Sequence, residues 1–194
     1  MGKLSLRTGN LIDRFIDDAR ANVAIEFAFI LPLMLTMFFG TVEFSSALAA
    51  NRKVTMVART LSDLVSQSST VTDTDLTNFG STGRAIMYPF PLNVVSTYDT
   101  RVSEIYIDPA TMTGKVIWSK GTGAYPDRAA NSSVTVPTAL QVAGTYLIYS
   151  EVAYKYVPAV GYVMSASGIP LRDTTFTRPR VSLCVLYGTQ VCGT

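Results

Sequence analysis

The stretch Val23-Ala24-Ile25-Glu26-Phe27-Ala28-Phe29-Ile30-Leu31-Pro32-Leu33-Met34-Leu35-Thr36-Met37-Phe38-Phe39-Gly40-Thr41-Val42-Glu43-Phe44 decides the architecture. Phe27 to Val42 is sixteen residues without a charge, and the full run of twenty-two is interrupted only by Glu26 and Glu43. At about 1.5 Å per residue it makes roughly 33 Å of helix, enough for a hydrocarbon core of about 30 Å. A buried core helix would place polar residues every third or fourth position, whereas Leu31 to Phe39 has only Pro32 and Thr36. One membrane span is therefore expected over 22–44. Pro32 cannot donate to the backbone ladder, so it predicts a local kink of a kind that membrane helices tolerate.

The rest of the composition agrees. Of 194 residues only 15% are charged and 48% are hydrophobic, and the mean hydropathy is +0.27. The formal charge of +2 supplies no field that would favour nucleic acid, so that partner is not expected. The chain has no histidine, which excludes Ser-His-Asp triads, Cys-His dyads and His-ligated zinc.

Past the span the pattern changes. Val54, Val57, Ala58, Leu61, Leu64 and Val65 recur at spacings of three and four, with Arg52, Lys53, Arg59, Asp63 and Gln67 between them. The span is thus expected to continue as an amphipathic stalk helix over 45–67. From about 22 to 67 the helix would be near 70 Å long, an anchor plus spacer whose apolar stripe packs on the following domain or on a partner helix. Thr72 with Asp75 resembles a capping arrangement for a second helix through Leu76, Phe79, Ile86 and Met87, weakened by Gly80 and Gly83 and stopped at Pro89 and Pro91.

Strand formers then dominate. Val94-Val95 and Arg101 to Ile107 come first, and Lys115 to Ser119 follows a turn at Asp108-Pro109 and Gly114, giving a hairpin. Val134 to Pro137 reads as an edge piece and Thr145 to Val157 as the strongest strand. On that strand Tyr146, Ile148, Ser150, Val152, Tyr154 and Tyr156 share one face. Thr174 to Tyr187 closes the sheet, broken by Pro179. The expected class is α+β: a long amino-terminal helix followed by a carboxy-terminal antiparallel sheet domain over 68–194. Its nine basic and eight acidic residues leave that domain near neutral.

The amino-terminal half fits three roles. A secretory signal peptide finds a small-x-small site at Ala47-Leu48-Ala49, but its apolar core is long and residues 1–21 carry Asp13, Asp17 and Asp18 beside Lys3, Arg7, Arg14 and Arg20. A plain uncleaved anchor leaves Glu26 unexplained, because an ionised carboxylate inside the apolar boundary costs a few kcal/mol unless it snorkels or finds a partner. The third role rests on resemblance. Arg20 to Leu33 (RANVAIEFAFILPL) with Gly40-Thr41-Val42-Glu43-Phe44 resembles the amino terminus of TadE-like pseudopilins of the tight-adherence (Flp) pilus machinery. Arg52-Lys53 to Gln67 and the late Thr177-Arg178-Pro179-Arg180 are also similar to longer members of that family.

The resemblance implies a cytoplasmic leader over 1–21, cleaved between Ala21 and Asn22 by a prepilin leader peptidase. Ala21 stands where the family's leader ends in Gly. Glu26 would become the fifth residue of the mature chain, its carboxylate meeting the new amino-terminal ammonium of a neighbouring subunit. The resemblance further implies other pilin or pseudopilin subunits, an inner-membrane pilus assembly platform and membrane lipid as partners. The sheet domain would lie in the periplasm, at the cell surface or in the pilus, and no cofactor is implied.

Cys184 and Cys192 suit a bridge across a terminal hairpin with Gly188 at its centre. Two unpaired thiols in a cytoplasmic domain are the alternative if the topology is reversed. Two cysteines without histidine make a weak metal site, and none is expected. Asp99, Glu104, Asp108 and Asp127 are the carboxylates that could pair for glycoside chemistry, but charges on strand edges and loops are usually solvated, so no enzyme is expected. The expected function is structural, a minor pseudopilin-like subunit that initiates or assembles an adhesion pilus. The alternative is a tethered or secreted domain whose tyrosine-rich sheet recognises glycan or protein.

Overall fold

Ala19–Ser66 forms one helix, α1, of 48 residues and about 72 Å. The computed structural model describes residues 19–90, 92, 98–158, 168–188, 190 and 192, with side chains from Val23 onward. Residues 1–18 of the leader expected over 1–21, Val94-Val95 and Pro91 therefore lie outside the described residues. After α1 come β1 (Thr70–Val71), α2 (Asp73–Met87), β2 (Tyr98–Ile107), β3 (Gly114–Gly121), β4 (Ser133–Val134), a 3-10 turn (Thr138–Leu140), β5 (Tyr146–Tyr156), β6 (Ile169–Thr177) and β7 (Leu186–Tyr187). The protein is α+β, with an antiparallel five-stranded sheet ordered β4-β3-β2-β5-β6.

The second half of α1 is the centre of the core rather than a spacer. Ala47, Ala50, Val54, Val57, Ala58, Leu61 and Val65 are buried against Val102, Trp118, Ile148, Val152, Tyr154 and Tyr156 of the sheet. Alternation along the strands places these sheet residues on the face toward α1 and sends Ile105, Ile107 and Leu147 to the other. There they meet Val116, Val134 and Val136 in a second, smaller cluster. A register shift at Glu104/Ile105 pairs Glu104 with Trp118 and Ile105 with Val116, so Ile117 has no opposite residue.

Helix α2 begins with the expected capping box. Asp75 N–H donates to Thr72 Oγ1 at 3.2 Å, and Thr72 N–H donates to Asp75 Oδ2 at 2.9 Å. Its far end is held by α1, where Lys53 Nζ donates to the carbonyls of Ile86 and Tyr88, each at 2.7 Å. A positive charge on these carbonyls also complements the helix dipole. Gly83, a weak point by propensity, is where α2 meets β2. A Cβ there would overlap Tyr98 Oη, so the missing side chain is what lets Tyr98 lie beneath the helix.

Two expectations are corrected at the carboxy terminus. The strand expected over 174–187 is two: β6 ends at Thr177, before Pro179, and β7 leaves the main sheet to pair in parallel with β1. Pro179 has no N–H for a ladder, and Arg180 N–H donates instead to the Ser66 carbonyl at 2.9 Å, tying the chain to the end of α1. Cys184 and Cys192 are bonded, with Cα atoms 5.8 Å apart. Their bridge encloses β7 and a turn with Gly188 at φ +63° rather than a hairpin, since the partner of β7 is β1.

Candidate assembly site along the first helix

From Val23 to Val42 every side chain of α1 is exposed or nearly so, although almost all are apolar. The hydroxyls in this half satisfy themselves. Thr36 Oγ1 donates to the Pro32 carbonyl and Thr41 Oγ1 to the Met37 carbonyl, both at 2.8 Å, a pattern suited to surroundings without water. Among the described residues this is one helix long and apolar enough to cross a membrane. Glu26 is exposed on it. Pro32 lies inside it, and α1 runs through Pro32 without a break. The backbone at Ala21 and Asn22 belongs to the first turns of α1, and their side chains lie outside the described residues.

The environment changes within one residue. Val42 is 46% exposed, Glu43 4% and Phe44 64%. Tyr156 Oη, at the end of β5, donates to Glu43 Oε2 at 2.8 Å, across 113 residues of sequence. Burial and the adjacent carboxylate push the Tyr156 hydroxyl up to about 12. Phe90 packs edge-on to Tyr156 with ring centroids 6.1 Å apart.

A second link fixes the direction of the strand. Ser62 Oγ donates to the Ile148 carbonyl at 3.4 Å. The nineteen residues from Glu43 to Ser62 rise about 28 Å along the helix, and the eight from Ile148 to Tyr156 cover about 26 Å along the strand. Strand β5 therefore runs down α1 toward the span, and its last residue, Tyr156, meets the helix where the exposed half ends.

Sequence patterning missed Glu43 as part of the domain. The signal was present, since Glu43 lies four residues before Ala47 and seven before Ala50, on the buried stripe of α1. The other side of the same turns stays open. Phe44, Leu48, Arg52 and Met56, four apart along one ridge, are all exposed, so an apolar strip continues past the span beside the folded domain.

The remaining polar groups serve the fold. Glu104 and Trp118, opposite each other in the sheet, hold both sides of Val185: Val185 N–H donates to Glu104 Oε1 at 2.5 Å, and Trp118 Nε1 donates to the Val185 carbonyl at 2.8 Å. Burial pushes the Glu104 carboxyl up to about 7. Asp108 takes Lys115 Nζ at 2.5 Å, and Asp127 accepts the Gly121 N–H at 2.8 Å. Arg101 and Arg128 both engage Glu151, Arg101 with two bonds of 2.6 and 2.8 Å. Of the four carboxylates considered for glycoside chemistry, Glu104, Asp108 and Asp127 are thus held in separate local contacts, and Asp99 is buried on β2 opposite Ala153. Among the described residues no three His, Cys, Asp or Glu side chains converge as a metal site. Of the tyrosines on the sheet, Tyr98, Tyr146, Tyr154 and Tyr156 are buried.

A cleft of about 150 Å³ lies between α2 and the sheet, with Leu61, Phe79 and Val102 at its base and Lys120 and Asp73 at its mouth. Lys120 there faces Asp127 at 3.4 Å and the Tyr187 ring at 5.3 Å, so its charge is already engaged. Neither a curated protein nor a solved structure matches the chain. Residues 22–62 match the family model described as TadE-like protein, which covers the exposed half of α1 and most of its packed half. Over this part of the helix that carries the candidate assembly site, the chain is similar to TadE-like proteins.

Proposed function

We propose that the protein is a minor pseudopilin-like subunit of a tight-adherence pilus. It is held by one membrane helix, with the sheet domain in the periplasm, and it assembles by laying the open ridge of α1 against helices of other pilin-type subunits. The observation that carries this reading is the continuity of α1. An exposed apolar surface passes from the unburied half of the helix to Phe44 and Leu48 and resumes beyond Arg52 at Met56, beside a domain that covers only the opposite stripe. The match over 22–62 supports it independently.

In this reading Ala21 and Asn22 flank the leader cleavage point, and the prepilin leader peptidase and the inner-membrane platform act on the chain before assembly. Pro32 bends the span within the bundle. Glu26 pairs with the amino-terminal ammonium of a neighbouring subunit, each charge neutralising the other in apolar surroundings. The pair specifies position more than it adds stability, because desolvation offsets most of the Coulomb attraction. Glu26→Ala should abolish co-purification with other pilin-type subunits while leaving membrane insertion intact; unchanged co-purification would sink the pairing. Recognition of glycan or protein by the tyrosines draws less support, since four of them are committed to packing.

A further inference from the structure

The fold decides where the domain sits relative to the bilayer. The twenty residues from Val23 to Val42 span about 30 Å of helix, the thickness of a hydrocarbon core, and the first side chain of α1 buried in the domain is the next one, Glu43. Glu43 is joined to Tyr156, so the end of β5 and the start of β6, which pairs Ile169 with Tyr156, lie at that same level. No length of helix separates span from domain.

The described residues at this level are chemically unlike the rest of the sheet. Val157, directly after β5, is 53% exposed and apolar. Lys155 is exposed beside it, opposite Pro170 of β6. Half-buried Phe90, edge-on to the buried Tyr156, supplies an aromatic ring, and among the described residues at this level the carboxylate of Glu43 is turned inward. An apolar side chain, an aromatic ring and a flexible cation around the exit of a membrane helix match the chemistry of the interfacial layer. Aromatic rings concentrate there, and a lysine stem can lie along acyl chains while its ammonium meets phosphate.

We infer that the membrane-proximal end of the sheet, centred on Val157 and Lys155, rests in the phospholipid headgroup layer, so that the domain is seated on the bilayer instead of held away from it. This rests on the membrane span of the proposed function, and it adds a second, separate lipid contact made by the folded domain. The occupant is lipid because the surface is continuous with the span and shares its level. Lys155 orients toward the phosphates, and Val157 enters the outermost part of the acyl region.

The test is a nitroxide attached to Cys at position 157 of the full chain. The chain is reconstituted in vesicles of phosphatidylethanolamine and phosphatidylglycerol and labelled under non-reducing conditions, so that the Cys184–Cys192 bridge stays closed. Relaxation by oxygen, which partitions into lipid, is compared with relaxation by a water-soluble nickel chelate. Phe38→Cys reports the span, and Met112→Cys reports the β2–β3 turn at the opposite end of the sheet. The Val157→Cys label should show an oxygen-to-nickel ratio severalfold above that of Met112→Cys and below that of Phe38→Cys, and Lys155→Glu should move it toward the aqueous value. A Val157→Cys ratio equal to that of Met112→Cys, with Phe38→Cys in lipid, overturns the seating and leaves the span standing. An aqueous Phe38→Cys label overturns both.

Discussion

The two halves of α1 are both rich in apolar side chains, yet one is bare and the other forms the heart of a domain. From Val23 to Val42 the apolar residues occur on all sides of the helix, so no single protein face could cover them. From Glu43 to Val65 most of them fall on one stripe, which is buried, while Phe44, Leu48 and Met56 stay exposed on a second, narrower ridge. Hydrophobic content alone does not separate the two fates; angular distribution does. A helix apolar on every side needs an apolar solvent, whereas one apolar along a stripe can find a sheet.

The sharpest way to break this contrast is to truncate one side chain in each half and measure unfolding of the domain in the detergent-solubilised chain. Leu61→Ala removes a side chain 2% exposed and should cost about 3 kcal/mol, within the usual range for a buried leucine. Phe38→Ala removes a larger side chain that is 61% exposed and should leave the urea midpoint of the domain unchanged. Equal effects would mean that the two halves share one core.

A smaller effect probes how closely α2 lies on the sheet below the packed half. Gly83→Ala should cost about 2 kcal/mol through overpacking against Tyr98. Tyr98→Phe removes the hydroxyl that the new Cβ would strike, so the double variant should recover much of the loss. A double variant as unstable as the sum of its parts would place the cause elsewhere.

The smallest effect concerns pH. Glu104 titrates near 4.5 when unfolded and at about 7 in the fold. Below 4.5 both states hold the proton and its contribution is complete. Between the two values the unfolded chain has released the proton and the folded one has not, so stability falls as pH rises, and above about 7 the contribution is gone. Between pH 5 and pH 8 the loss should be on the order of 2 kcal/mol, with the Val185 N–H bond already counted against the burial of charge. With no histidine in the chain, few other side chains titrate in this window. Thermal midpoints at pH 5 and pH 8 should differ for the native chain and converge for Glu104→Gln.

The span, the capping box at Thr72, the β2–β3 hairpin and the alternation along β5 were legible because each depends on residues close in sequence. The pairings at the carboxy terminus were not. A two-residue strand such as β7 has no periodicity of its own, and its partner, β1, lies more than a hundred residues earlier. Lys53 read only as a polar residue between the stripe positions of the stalk until α2 presented two carbonyls to it. Gly83 looked like a helix breaker until Tyr98 came to lie against it.

By itself the sequence determined that this protein has one long helix with a half apolar on every side and a striped half, and an antiparallel sheet after it. Those properties follow from local periodicity and from the cost of placing apolar surface in water. Only the tertiary structure decided that the striped half is enclosed by its own sheet, and that the enclosure begins at Glu43. The contact with Tyr156 joins residues 113 positions apart, and no local preference encodes which turn of the helix the end of β5 will meet.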